Sequence, residues 1–225
     1  MRVSVIIPTL NEAAELPATL AHLRAAGQVG EVIVADGGSR DVTVELARAS
    51  GARVIAAPRG RGHQLRAGAA LSTGDVLVFL HGDTWMPAGG IASLERILED
   101  PEVVAGAFEK AFRDGPWMLA GSRWKCRVRM HLFQFAYADQ AIFVRREVLE
   151  RVGGVPDVPL MEEHELFRRL QEHGTFQLVP QVVLTSARRF VRAGVLTTYL
   201  KMACVEVGWR LGVSPFRLVR WYRGK

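Results

Sequence analysis

The chain has 225 residues, 49% of them hydrophobic and 23% charged, with a mean hydropathy of +0.10. That suits one ordinary domain able to bury a core without disulfide or metal staples, and it excludes disorder, coiled coil and collagen. The formal charge of +6 is uneven: residues 192–225 carry seven basic residues and one acid, Glu206, so residues 1–191 are neutral and a nucleic-acid-binding stripe across the body is not expected.

Residues 3–7, 31–35, 53–56 and 75–80 are short, nearly continuous apolar runs bounded by Gly, Pro, Asn or Asp, as expected of strands buried on both faces of a parallel sheet. Between them, residues 16–26, 42–50 and 64–71 carry helical spacing, with Leu16, Leu20 and Leu23 in the first. Strand and helix alternating in this way predict right-handed βαβ units and an α/β sheet. Beyond Pro101 the order changes. Residues 103–112 read as a longer strand, 117–135 as a helix, 141–144 as a short strand, 162–172 as a helix and 176–183 as a strand pair or loop. The second half is therefore expected to be mixed and partly antiparallel.

Residues 195–213 read as an amphipathic helix with Leu196, Leu200, Ala203, Val207 and Leu211 along one side. Ser214-Pro215 reads as the cap and first position of another, carrying Phe216, Arg217, Arg220, Trp221, Tyr222 and Arg223. The expected organisation is one domain over 1–191, divided into a first half (1–100) and a second (101–191), followed by a basic helical extension over 192–225. No run of about 18 apolar residues predicts a spanning helix, and Pro8 and Asn11 interrupt the N-terminal apolar stretch short of a signal-peptide core. Cys126 and Cys204 form no CxxC pair, so a reduced, cytoplasmic compartment is expected and a metal cluster is not. Aromatics interleaved with arginines in 216–223 suit the headgroup zone of an anionic membrane, which would make the protein peripheral on the inner face of the cell membrane; packing on the body or a dimer contact is the alternative.

In an open parallel sheet, ligands bind beyond the carboxyl ends of the strands. Here the first strand is followed by Pro8-Thr9-Leu10-Asn11-Glu12, the second by Asp36-Gly37-Gly38-Ser39 and the fourth by His81-Gly82-Asp83-Thr84. Taken singly, each has a plainer reading: Asn11 as a helix cap, 36–39 as a turn, Asp83 as a loop acid. Three strands delivering carboxylates to one edge point instead to a site.

These segments occur in order with Gly60-Arg61-Gly62-His63-Gln64-Leu65-Arg66-Ala67-Gly68, Asp139-Gln140 and Met161-Glu162-Glu163-His164-Glu165. Together they resemble the inverting GT-A glycosyltransferases of family 2, most closely a short bacterial subfamily of the rSAM/selenodomain-associated type. The resemblance implies a GT-A fold, a Rossmann-like, mostly parallel sheet with a mixed C-terminal half and C-terminal helices. It also implies transfer of a sugar from a nucleoside diphosphate sugar, with UDP favoured, to a hydroxyl or carboxyl of a lipid-like or small acceptor. By the same resemblance, Pro8, Thr9 and Glu12 would cradle the nucleoside, with Glu12 on the ribose. Asp36 would accept hydrogen bonds from the base, and Gly60 and Gln64 would lie under the nucleotide.

His81-Gly82-Asp83 stands at the family's Asp-x-Asp position with one carboxylate kept. Asp83 would hold Mg2+ or Mn2+ alongside the diphosphate, and His81 would contact ribose or phosphate. The family's Glu-Asp pair is Glu162-Glu163 here, which makes Glu163 the general base and Glu162 its fallback; adjacent acids at a helix start also serve the helix dipole. Asp139 and Gln140 would bond the donor sugar or the acceptor. Arg188 and Arg189 would neutralise the leaving diphosphate, a surface charge pair being the alternative. His164 is expected as a solvated helix residue, and 117–129 as a wall of the acceptor side. Two competing readings are a nucleotidyltransferase, which wants a Gly-rich basic loop that 8–12 does not offer, and a non-catalytic nucleotide-sugar-binding or membrane adaptor protein.

Overall fold

The first strand, β1 (Val3–Thr9), is buried along nearly its whole length, with Val3, Val5 and Ile7 in one apolar cluster and Ile6 in another. Successive side chains of a strand point to opposite faces, so this continuous apolar run serves two cores, one on each side of the sheet. In the computed structural model, which describes residues 1–223, the chain continues through α1 (Leu16–Ala26), β2 (Glu31–Asp36), α2 (Thr43–Ala49), β3 (Arg53–Ala56), α3 (Arg61–Leu71), β4 (Val76–Phe79) and β5 (Thr84–Trp85). Then come α4 (Gly90–Ile97), β6 (Val103–Arg113), α5 (Ser122–Phe133), β7 (Ile142–Arg145), α6 (Arg146–Arg151), α7 (Glu162–Leu170) and β8 (Thr175–Ser186). Three helices, α8 (Arg188–Ala193), α9 (Val195–Arg210) and α10 (Pro215–Arg223), follow; Lys225 and the side chain of Arg223, both part of the expected basic tail, lie outside the described residues.

The eight strands form one sheet in the order β3-β2-β1-β4-β7-β6-β8-β5. The pairs β3/β2, β2/β1, β1/β4 and β6/β8 are parallel, and β4/β7, β7/β6 and β8/β5 are antiparallel. The first half is the expected parallel wound sheet, and the second half is mixed. One face is covered by Leu16, Leu20 and Leu23 of α1 with Ile91 and Leu94 of α4. The other is covered by Leu65 of α3, Val148 and Leu149 of α6, and Leu166, Phe167 and Leu170 of α7. This is the layered arrangement that βαβ crossovers produce.

Two expectations are corrected, and one alternative is decided. The helix predicted over 117–135 is split, because Gly121 adopts φ 77 and ends a short 3-10 turn (Trp117–Leu119) before α5 begins. The strand pair or loop predicted over 176–183 is one long strand, in which the register jumps between Val179 and Val182. Pro180 has no N–H to give to the ladder, and the bulge absorbs it. The apolar stripe of the tail does not pack inward: Leu196, Leu200, Val207 and Leu211 are 55–78% exposed, while Thr198 and Val205 of α9 are buried instead. In α10, Leu218 is buried and joins Val205 and Met161, leaving Phe216 and Trp221 exposed. Among the described residues no helix is long and apolar enough to cross a membrane.

Candidate active site

At the carboxyl edge of the sheet, β1 and β2 end in register with Thr9 opposite Asp36. The Asp36 carboxylate accepts hydrogen bonds from the Thr9 hydroxyl (3.1 Å), the Gly38 and Ser39 amides (2.9 and 2.8 Å) and the Ser39 hydroxyl (2.5 Å). Burial pushes its pKa up, but these donors outweigh burial and hold it below the usual carboxylate range. A carboxylate has about four lone-pair sites, and all are taken. Asp36 therefore shapes the turn at the end of β2. Gln64 serves the same strand ends: it is buried, and its amide donates to the carbonyls of Thr9 and Ala35 at 2.7 Å each, stapling them from α3. Gly60 is the residue just before α3, and Pro8 is half-buried beside Thr9. Asn11 is not a helix cap; its side-chain oxygen accepts from the Arg40 amide at 2.8 Å and ties two loops together.

Next along the edge is an acidic rim. Gly82 lies close enough to Glu12 that a Cβ there would stand 3.2 Å from its Cγ. Arg188 pairs with Glu12 and reaches Asp83 at 3.2 Å, so it is no free surface cation. Burial raises the Asp83 pKa to about 6; Arg188 opposes this, and Glu12, Glu15 and Asp139 add to it. The Oε2 atom of Glu12 is buried without a hydrogen-bond partner among the described residues.

The rim opens into a cavity of about 380 Å³ whose walls include Arg61, His81, Asp83, Asp139, Glu162 and Glu163. Gly62 sets this up: a Cβ there would stand 2.6 Å from the Val158 carbonyl, so only glycine lets the 156–158 segment lie on the first turn of α3. That contact brings the start of α7 to Arg61, whose guanidinium donates to Glu162 and, at 2.7 Å, to Glu163, with its third nitrogen 3.4 Å from His81 Nε2. Glu162 and Glu163 are only 3% and 8% exposed, so they are not a solvated pair serving a helix dipole. Burial, with Glu163 beside it, raises the Glu162 pKa; burial acts on Glu163 too, but Arg61 and His164 outweigh it and keep that carboxyl low. Burial and Arg61 push the His81 pKa down to about 4, so its imidazole is neutral at physiological pH.

Asp139 pairs with Lys110, which overcomes the effect of burial and keeps the acid ionised, and its Oδ1 has no partner among the described residues. Gln140, expected to bond a ligand, is fully buried: it accepts from Arg129 and donates to the Phe108 carbonyl at 3.0 Å. His164 is likewise corrected. It is buried, its Nε2 lies within hydrogen-bond distance of the Glu206 carboxylate of α9 at 2.6 Å, and its ring centre is 4.1 Å from that of Phe135. Met161, just before the two acids, holds φ 65, a left-handed conformation costly for a residue with a side chain. Arg61 was missed in the sequence because no local pattern links it to acids a hundred positions later.

Residues 4–152 match the profile of Glycosyl transferase family 2. The chain belongs to that family. It is 31% identical over 160 residues to an uncharacterized glycosyltransferase of Mycobacterium tuberculosis, covering 68% of this chain and 72% of the relative. It is 34% identical over 139 residues to the undecaprenyl-phosphate 4-deoxy-4-formamido-L-arabinose transferase of Pseudomonas aeruginosa, a match spanning 56% of this chain but only 40% of that transferase. The mannosyltransferase PcManGT from Pyrobaculum calidifontis, solved with GDP-Man and Mn2+, superposes with a TM-score of 0.66 at 25% identity, over 81% of this chain and 56% of the other. S. aureus TarS with UDP-GlcNAc, at 15% identity, TM-score 0.64 and coverage of 83% and 58%, shares the fold. This glycosyl transferase family 2 protein thus has the GT-A fold of those solved glycosyltransferases. The family match ends before α7, so Glu162 and Glu163 lie outside it.

Proposed function

We propose that the enzyme moves a sugar, with inversion, from a nucleoside diphosphate sugar (a UDP-sugar) to a hydroxyl or carboxyl of a lipid-like or small acceptor. The observation that carries this reading is Glu163: buried, yet kept ionised by Arg61, it faces the same cavity as Asp83 and His81. Glu163 takes the proton of the acceptor hydroxyl as the oxygen forms its bond to the anomeric carbon. The bond from that carbon to the diphosphate breaks on the opposite side, and its electron pair leaves with the diphosphate. Glu162, the more readily protonated of the two, is the fallback base. Pro8, Thr9 and Glu12 line the nucleoside side, Arg188 and Arg189 meet the diphosphate, and Asp139 with its bare Oδ1 meets the sugar or acceptor.

The residues fit a divalent cation that arrives with the diphosphate. Among the described residues no cluster of three His, Cys, Asp or Glu side chains could hold a metal alone. Asp83, however, lies in an excess of negative charge with Glu12, Glu15 and Asp139, and Glu12 Oε2 lacks a partner. Asp83 would hold Mg2+ or Mn2+ together with the diphosphate, and the cation would neutralise charge on the departing group. The solved mannosyltransferase holds Mn2+ with GDP-Man, which supports the same cation here.

The division into a nucleotide-binding half (1–100), an acceptor half (101–191) and a basic helical extension (192–225) belongs to this proposal, as does membership of the rSAM/selenodomain-associated subfamily. So does peripheral binding to an anionic membrane on the cytoplasmic side, supported by the exposed apolar stripe of α9 and by the exposed Arg217 and Arg220 of α10. Glu163→Gln tests the core of it. Its turnover should fall by about two orders of magnitude, as expected for a lost general base, with the melting temperature retained. Near-normal turnover of UDP-sugars in that variant removes Glu163 from the role.

A further inference from the structure

Every carboxylate on the cavity wall has a cationic partner, but several cations have no carboxylate. Glu162 and Glu163 pair with Arg61, Asp139 with Lys110, Asp83 with Arg188, and Glu206 with Arg210. Among the described residues, Lys125, Arg129 and Arg189 pair with no acid; they stand over the rings of Tyr199 (5.2 Å), Tyr137 (4.2 Å) and Tyr222 (5.1 Å). Unpaired cations on an open surface mean little. Arg129 is different: it is half-buried, donates only to Gln140 Oε1 and weakly to the Cys126 sulfur, and its Nε is buried with no acceptor. A buried guanidinium nitrogen left without an acceptor costs free energy unless something else supplies one.

The cavity also continues outward. A second hollow of about 460 Å³ is walled by Trp124, Phe133, Phe135, Phe167 and Trp209. Lys125, Arg129, Tyr137, His164 and Glu206 line both spaces. An apolar trough with aromatic walls thus runs up to two unpaired cations, and beyond them lies Glu163. Lys125 and Arg129 are one helical turn apart on α5, so both face this junction.

We infer that the acceptor is a single-chain anionic amphiphile whose charged head is held by Arg129 and Lys125 and whose apolar chain lies in the trough between α5, α7 and α9. The inference rests on the transferase reading above and narrows its acceptor. The head anchors the molecule at the junction so that an accepting hydroxyl lies on the Glu163 side, and the aromatic walls supply the apolar contact that a small polar acceptor has no use for. Arg189, across the cavity, stays with the diphosphate.

Decyl phosphate is the probe, compared with decanol and with inorganic phosphate, on the full-length protein by calorimetry and by the fluorescence of the trough tryptophans. Decyl phosphate should bind at least tenfold more tightly than either partial probe and alter the tryptophan emission. Lys125→Gln, exposed and free of folding contacts with acids, and the Lys125→Gln/Arg129→Gln double variant should each weaken decyl phosphate, the latter at least tenfold, while decanol binding stays unchanged. Trp124→Ser should weaken decyl phosphate and leave inorganic phosphate as it was. Equal affinity for decyl phosphate and decanol, competition by inorganic phosphate at equal strength, or unaltered affinity in the Lys125→Gln variant overturns the inference. Metal-stimulated UDP-sugar hydrolysis by the unaltered protein, measured alongside, separates the two levels. If hydrolysis persists without decyl phosphate binding, the acceptor assignment alone fails; if hydrolysis is absent, the transferase reading fails.

Discussion

Asp36 and Glu163 are both buried acids kept ionised, yet they are held by different things. Asp36 is saturated by backbone amides and hydroxyls of its own turn and its neighbouring strand, all within the parallel half of the sheet. Glu163 is held by one arginine from a distant helix, and beside it Asp83 and Asp139 are likewise held by single cations. Amides of a turn have no alternative partner without unfolding the turn, whereas a guanidinium or ammonium can exchange a carboxylate for a phosphate. The parallel half is thus finished when the chain folds, and the cavity side is left with charges that a ligand can re-pair.

Arg61→Ala should strike the cavity side hardest, because it strands two buried carboxylates; a loss of about 3–5 kcal/mol in stability is expected for a broken buried pair. Chemical denaturation measures it, and a loss below about 1 kcal/mol would mean that water already screens the pair. Next, Asp83→Ala should lower turnover by about two orders of magnitude and abolish metal-dependent UDP binding in a thermal-shift assay, with no fall in melting temperature. Asp36→Ala should do the reverse, lowering the melting temperature by several degrees for about 1–3 kcal/mol of lost acceptors while turnover at saturating donor changes less than tenfold. Should the two variants exchange these profiles, the contrast drawn between the regions is wrong.

Proton linkage sharpens the same contrast. Asp83 titrates at about 6 in the folded chain, above the 3.8 of an ordinary aspartate. The folded state therefore binds more protons between these values, and stability is lost as pH rises through about 6. Asp83→Asn should accordingly raise the melting temperature at pH 7.5 and not at pH 3.5. Wild-type affinity for UDP with Mn2+ should decline as pH drops below about 6, since a proton and a cation compete for one carboxylate. The smallest effect is expected at the exposed stripe: Leu196→Ser with Leu200→Ser should leave stability within about 0.5 kcal/mol but reduce flotation with anionic liposomes.

The parallel half was legible because its strands are short apolar runs cut by Gly, Pro and Asp, a pattern that admits few other structures. His81, Asp83, Asp139 and Glu163 could also be picked out as polar residues at strand and helix ends, and all four face one cavity. What escaped depends on long-range pairing. Gln64 and Gln140 look like ligand-binding amides in sequence, and only the carbonyls of Thr9, Ala35 and Phe108 around them reveal their structural use. His164 looks solvated beside three acids, until α9 folds back over it with Glu206. The break at Gly121 was in principle readable, since glycine inside an otherwise helical stretch is a stop signal.

Met161 connects the tail to the chemistry. Its strained backbone aims the next two residues at Arg61, and its side chain is gripped by Val205 and Leu218 from the last two helices. Shortening the protein before Arg192 to gain a more tractable fragment removes that grip. The truncated protein should then turn over slowly even on a freely dissolved substrate, because Glu163, the base proposed above, is no longer aimed.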